Sequence, residues 1–148
     1  MRERGFEVVS AYINNNISLP KRKTAASAGY DIESAEEIIL EPGKVTLVPT
    51  GLKAYMQADE YLGLHVRSGF SIKNVISCIN SQGIIDADYY NNPDNEGHIM
   101  VRVHNGGSKP VTIVKGDRFC QGIFVPFGTA DEEEVTAARH GGFGSTDR

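Results

Sequence analysis

Apolar residues recur along this chain in short runs with a period of two. Leu62, Leu64 and Val66 alternate with Tyr61, Gly63, His65 and Arg67, and Ile99, Val101 and Val103 alternate with Met100, Arg102 and His104. Such alternation marks strands that bury one face. The pattern predicts strands over Val8–Tyr12, Ile38–Leu40, Val45–Val48, Tyr61–Arg67, Val75–Asn80, Ile99–His104, Val111–Val114 and Phe119–Val125. Turn signals separate them. Glu41-Pro42-Gly43-Lys44 places Pro and Gly where a type II turn needs them. Asn105-Gly106-Gly107 and Lys115-Gly116-Asp117 mark two further turns. No long segment carries a helical period, and one short helix is expected near Ser68–Asn74. Many short strands at this spacing predict an all-β fold, a sandwich or jelly roll. From Arg139 the alternation gives way to a Gly-rich stretch. The expected organisation is therefore a core domain over residues 1–138 and a flexible C-terminal arm over 139–148.

Composition narrows the functional classes. The chain has 148 residues, 40% of them hydrophobic, which suits one core in one domain. No apolar run approaches the ~20 residues of a membrane helix. Met1-Arg2-Glu3-Arg4 is followed by no apolar stretch, so a secretory leader is not expected and a cytoplasmic location is. Cys78 and Cys120 lie far apart in apolar segments and read as buried free thiols in a reducing compartment, with a disulfide between them the weaker alternative. A formal charge of −4 disfavours general binding of duplex nucleic acid. It leaves room for a small polyanion gripped by a few converging arginines.

Several local features could carry chemistry, and each has a plain structural reading beside it. In Gly83-Ile84-Ile85-Asp86-Ala87-Asp88-Tyr89-Tyr90 an apolar strand runs into two acids. A carboxylate at a strand end can orient a water or hold a metal through water, and it can equally open a hairpin. Arg67-Ser68-Gly69 follows a strand and could grip phosphate oxygens, or simply turn the chain. Lys115-Gly116-Asp117-Arg118 is most simply a hairpin turn, while Gln121 is an unusual amide inside an apolar strand that needs partners. The tail Arg139-His140-Gly141-Gly142-Phe143-Gly144-Ser145-Thr146 suits a polyphosphate and a stacked base, yet lacks the lysine and context of a P-loop. His65, His98, His104 and His140 show no zinc spacing and read as surface or hairpin residues. Asp131-Glu132-Glu133-Glu134 reads as a solvated run. No nucleophile elbow or Ser–His–Asp pattern is found.

The order of these features is more specific than any one of them. Ser27-Ala28-Gly29-Tyr30-Asp31, Arg67-Ser68-Gly69, Gly83 to Tyr89, Gly116-Asp117-Arg118 with Gln121, and Gly142-Phe143-Gly144-Ser145-Thr146 resemble the ordered motifs of the dUTP pyrophosphatase (dUTPase) family, from about residue 23 to the C-terminus. The resemblance implies a distorted jelly-roll subunit, a homotrimer with active sites shared between subunits, and hydrolysis of dUTP with Mg²⁺. It also assigns roles. Asp31 would hold Mg²⁺ through coordinated waters. Arg67 would order the site, with Ser68, Gly69 and Gln121 on the phosphates. Asp86 would orient and help deprotonate the attacking water. Asn80 and the Gly83, Ile84 and Ile85 backbone would read uracil, Tyr89 would pack under the deoxyribose, and Met100 would line the same pocket. Arg139, Gly144, Ser145 and Thr146 would close over the phosphates, and Phe143 would cover the base.

The sequence departs from the family pattern in four places. Val66 stands where Pro is common, Arg139 is one residue closer to the Gly pair, and Asp147 replaces a usual Gly. Tyr90 to Glu96 is an insertion before Gly97 whose Asn91-Asn92-Pro93-Asp94 core reads as a longer hairpin tip. A surface extension is the preferred reading; a docking loop for a regulatory protein is the alternative, since some phage members bind such partners. Deamination of dCTP on a related fold would need a Glu on Ile99–His104, and that strand has none. A pure binding module is disfavoured by the intact Asp86, Arg67 and tail. The helical kind of dUTPase is excluded for want of long amphipathic helices.

Overall fold

The described residues form twelve short strands, and their longest helix is seven residues. A computed structural model describes residues 2–142, apart from the side chains of 71–73. The strands are β1 (Gly5–Val8), β2 (Lys21–Arg22), β3 (Tyr30–Glu33), β4 (Ile38–Leu40), β5 (Val45–Pro49) and β6 (Leu52–Tyr55). They continue as β7 (Glu60–Val66), β8 (Ile76–Cys78), β9 (Gly83–Asp86), β10 (Met100–Asn105), β11 (Val111–Ile113) and β12 (Arg118–Pro126). The helix α1 (Ser68–Asn74) lies where the sequence predicts it. All pairings among the described residues are antiparallel. The largest sheet has the order β2-β3-β12-β7-β9, and the smaller ones are β5-β10-β8, β1-β6 and β11-β4. The result is a distorted jelly-roll sandwich.

One core lies between these sheets. Leu62 and Leu64 of β7 and Val101 and Val103 of β10 are buried, together with Ile32, Leu40, Val48, Leu52, Ile76, Ile113 and Phe119. Each large apolar side chain buried here contributes about 1.5–3 kcal/mol. The inward and outward faces of β7 and β10 follow the predicted alternation, except that Gly63 is also covered. Cys78 and Cys120 are buried free thiols, and burial pushes both above the ordinary thiol range. Among the described residues no helix is long and apolar enough to cross a membrane.

The predicted turn at Glu41–Lys44 forms: Lys44 N–H donates to the Glu41 carbonyl at 3.1 Å, with Gly43 at φ +73°. At the end of β10, Asn105 is fully buried. Its amide donates to the carbonyls of Leu40 and Lys109, and its Oδ1 accepts from Gly107 N–H. Two expectations need correction. The N-terminal strand is Gly5–Val8, and Ser10–Tyr12 is a 3-10 turn. It turns because Tyr12 N–H closes onto the Val9 carbonyl while Val9 fills the core. Val75 takes φ +56°, so β8 starts one residue later and ends at Cys78. The short strands β2, β3 and β6 carry too little alternation to be seen in advance.

Candidate active site

One group of predicted residues meets across the largest sheet. Asp31 on β3 lies opposite Gln121 on β12, which lies opposite His65 on β7. Directly opposed residues share a face, so carboxylate, amide and imidazole stand in one row. Gln121 lies over Gly29, where any Cβ would collide with its Oε1. Two guanidiniums flank Asp31, with Arg67 Nε at 3.7 Å and Arg118 Nη1 at 3.8 Å. These are ion-pair distances, too long for direct hydrogen bonds. Arg67 is oriented by a bond from its Nη1 to the Arg118 carbonyl at 3.0 Å. That carbonyl sits at a slip in the β12–β3 register between Arg118 and Cys120. The slip lets both Phe119 and Cys120 point inward, as a bulge does. Ser68 and Gly69 open α1 directly after Arg67, both exposed, with open space around Gly69.

This donor set fits only one kind of metal binding. The described residues contain no group of three or more His, Cys, Asp or Glu that could cage an ion. One carboxylate beside two guanidiniums is a poor nest for a bare cation. It fits a Mg²⁺ that keeps its waters and arrives on a polyphosphate.

A second group gathers at the other edge of the sheet. Asp86 ends β9, and Asp88 and Tyr89 lie in the 3-10 turn that follows. Ile84 is exposed and Ile85 buried; Asn80 is exposed in the turn after β8; Met100 heads β10, half-buried. Tyr89 is itself buried. Its hydroxyl donates to the His98 carbonyl at 2.6 Å and accepts from Asn95 Nδ2 at 3.0 Å. Burial raises its pKa above the ordinary value despite the Asn95 bond. Arg139 reaches this edge, donating Nε to Asp88 at 3.0 Å and Nη2 to Asp86. Gly142 lies on the Tyr89 ring, where a Cβ would stand 2.6 Å from Cε1. The predicted Phe143, Gly144, Ser145 and Thr146 lie outside the described residues.

The two groups do not meet within one chain. On β7, Asp86 is opposite Tyr61 and Gln121 is opposite His65, four residues away, which is roughly 13 Å along the strand. β9 and β3 are also three strand spacings apart in the sheet order, roughly 14 Å.

Sequence reasoning missed Arg118 as a flank of Asp31, Asp88 as a partner of Arg139, and Asn92 and Asn95 beside Tyr89. His98 and His65, read from the sequence as surface or hairpin residues, are half-buried and have specific partners. His98 Nε2 accepts Gly51 N–H at 2.9 Å, and its ring packs on Tyr12. Burial depresses its pKa below the ordinary value. His65 Nε2 is 2.9 Å from Gln82 Nε2. Arg139 meets Asp88 across 51 residues and His98 meets Gly51 across 47, so spacing signals neither contact, while Asn92 and Asn95 lie only three and six residues from Tyr89 in a loop without alternation.

Comparison with known proteins bears on both groups. A family model described as dUTPase matches residues 15–147. A deoxyuridine 5′-triphosphate nucleotidohydrolase of Lactococcus lactis subsp. lactis (strain IL1403) is 53% identical over 148 residues, covering 99% of each chain. The crystal structure of dUTPase from Streptococcus mutans superposes with a TM-score of 0.81 at 48% identity, covering 86% of this chain and 98% of that one. A mutant dUTPase from phage phi11 of S. aureus, whose structure reveals the coordination of a structural Mg(II) ion, shares the fold. Its TM-score is 0.74 at 22% identity, with 92% of this chain and 98% of that one covered.

Proposed function

The chain belongs to the dUTPase family, and from that premise we propose that it converts dUTP to dUMP and pyrophosphate at sites assembled between subunits of a homotrimer. The observation that carries the shared site is the separation of the two groups on β7. The phosphate-gripping row and the carboxylate of Asp86 each lack what the other has. Bringing β9 of one subunit against the Asp31–Gln121 row of another completes a site that one chain leaves in halves.

In that site Asp86 orients a water toward the α-phosphorus and accepts its proton as the bond forms. Its side chain is about half exposed at the strand end, open to water. Arg67, Ser68, Gly69 and Gln121 hold the phosphate oxygens and draw off their charge. Asn80 and the backbone of Gly83, Ile84 and Ile85 pair with the uracil edge. Cytosine, with an amine in place of O4, leaves buried groups unpaired. Tyr89 packs under the deoxyribose and leaves no room for a 2′-hydroxyl, and Met100 lines the pocket. Arg139, Gly144, Ser145 and Thr146 close over the phosphates with Phe143 over the base, excluding bulk water. Mg²⁺ on the triphosphate, when bound, would neutralise phosphate charge, with Asp31 accepting hydrogen bonds from its waters. The product dUMP would supply thymidylate synthesis while dUTP is kept from DNA. The compartment proposed is the cytoplasm, where free thiols such as Cys78 and Cys120 persist.

The test is the purified protein with Mg²⁺ against dUTP, dCTP, dTTP and UTP, following pyrophosphate and ammonia. Pyrophosphate from dUTP alone supports the reading. Ammonia from dCTP, or no product from any nucleotide, overturns it.

A further inference from the structure

The insertion Tyr90 to Glu96 folds into a closed loop beside Tyr89. Asn91 N–H donates to the Glu96 carbonyl at 2.9 Å, and Glu96 N–H donates to the Asn92 carbonyl at 3.0 Å. Asn91 and Glu96 take left-handed backbone at φ +56° and +65°, which persists only where the surroundings fix it. They are fixed from outside the loop. The buried Lys53 ammonium donates to Glu96 at 2.7 Å and to Asn91 Oδ1 at 2.6 Å. Glu96 also accepts from Ser10 N–H at 3.1 Å, and the Tyr90 hydroxyl donates to Glu7 at 2.6 Å. The loop is therefore clamped to β1, β6 and the turn after β1. Gly97 closes it at φ +88°, where a Cβ would stand 2.7 Å from the Tyr89 carbonyl oxygen.

Two asparagines of this loop hold Tyr89 by its two ends. Asn92 Nδ2 donates to the Tyr89 carbonyl at 2.7 Å. Asn95 Nδ2 donates to the Tyr89 hydroxyl at 3.0 Å, and that hydroxyl donates onward to the His98 carbonyl at 2.6 Å. The Asn95 amide has one orientation open to it. Gly97 N–H, 3.0 Å away, can only donate, so the amide oxygen faces it and the nitrogen is left for the hydroxyl. Asn92 Nδ2 adds a second bond to the same oxygen at 2.7 Å. Both the donating and the accepting side of the Tyr89 hydroxyl are thus taken, and the residue is 4% exposed. The ring cannot tilt without breaking a bond that water is not there to replace. A wall that excludes by shape is only as selective as it is fixed.

We propose that the insertion is the supporting wall of the sugar pocket, and that Asn95 is a positioning residue for sugar discrimination. By holding the Tyr89 hydroxyl it keeps the ring against a deoxyribose and denies a ribose the small displacement that would admit its 2′-hydroxyl. The effect on discrimination rests on the proposed place of Tyr89 under the sugar.

Discrimination is read on the full-length protein in two ways: kcat/KM for UTP against dUTP, and Kd for UMP against dUMP by calorimetry. Asn95→Ala removes the donor to Tyr89. Asn95→Asp keeps the oxygen that Gly97 and Asn92 bond, and leaves the Tyr89 hydroxyl with one partner for its single proton and no donor from residue 95. It therefore keeps the test alive if the alanine variant folds poorly. Both should shift both ratios toward the ribonucleotide by about threefold or more, within the range of one neutral hydrogen bond. General loosening of the site would weaken both sugars alike and leave the ratios in place. Tyr89→Phe should also shift them, and Tyr89→Phe with Asn95→Ala no further than the larger single variant, because Asn95 acts through the hydroxyl. Unchanged ratios in a folded Asn95 variant, or multiplying effects in the double, would overturn the proposal. No hydrolysis of dUTP by a parent protein that still prefers dUMP to UMP would overturn the proposed function and leave the calorimetric ratios to decide the role of Asn95. A parent protein with no sugar preference in either measurement would overturn the sugar pocket and the proposal with it.

Discussion

The row at Asp31, Gln121 and His65 and the pocket at Tyr89 are built by different means. The row is set by antiparallel register across three strands, so each side chain's place follows from its partners in the ladder. The pocket hangs on loops, and Tyr89 is held by Asn95 and the His98 carbonyl on its hydroxyl and by Gly142 on its ring. Register tolerates change at any residue that keeps the strand. A loop-built pocket depends on individual hydrogen bonds, and single substitutions should reach further there. The proposed catalytic carboxylate, Asp86, sits where the two kinds of construction join, at the last residue of β9.

The largest effect is expected at that junction. Asp86→Asn should lower turnover of dUTP by about 10³-fold while nucleotide binding, read by calorimetry, survives, because the carboxylate acts on water rather than on the ligand. Turnover near the parent rate would remove it as the base. Deleting residues 139–148 should cost about 10²-fold in kcat, the scale of losing one set of charge-stabilising donors, and leave the assembly intact by light scattering. Full activity in the truncated chain would make the arm dispensable. Tyr89→Ala should raise kcat/KM for UTP relative to dUTP by about tenfold. An unchanged ratio would put sugar discrimination elsewhere.

The smallest effect is a pH dependence of stability at the loop-built side. His98 is neutral when it accepts Gly51 N–H, and burial holds its pKa below the ordinary 6.5. The unfolded chain therefore binds that proton more readily. The stability from His98 is fully present above pH 6.5 and is lost as pH falls through the depressed folded value. Thermal melting should fall between pH 7.5 and 5.5, and His98→Gln, which keeps an acceptor but does not titrate, should flatten that slope. An equal slope in both proteins would contradict the assignment.

The two regions also differ in how far the sequence revealed them. β7 and β10 were legible because Leu62, Leu64, Val101 and Val103 alternate cleanly with polar neighbours. β3 was not, because Tyr30-Asp31-Ile32-Glu33 buries only Ile32 completely. β6 was hidden by Lys53, whose charge is buried only because Glu96 and Asn91 wait on a distant loop. Asp31, Arg67 and Asp86 were legible as members of ordered motifs. Their placement in two separate groups was not, since it follows from the order β3-β12-β7-β9 rather than from spacing. Asn92 and Gly141 meet across 49 residues, and no local pattern encodes that contact.

The central claim is that one site needs two subunits, and complementation tests it most directly. Asp86→Asn and Arg67→Ala chains, each inactive alone, are unfolded together in equal amounts and refolded. A site that takes Asp86 from one subunit and Arg67 from another should recover about one quarter of parental activity by random assortment of subunits. No recovery above the two single variants, with trimers formed and exchanged, would mean that each chain carries its own complete site.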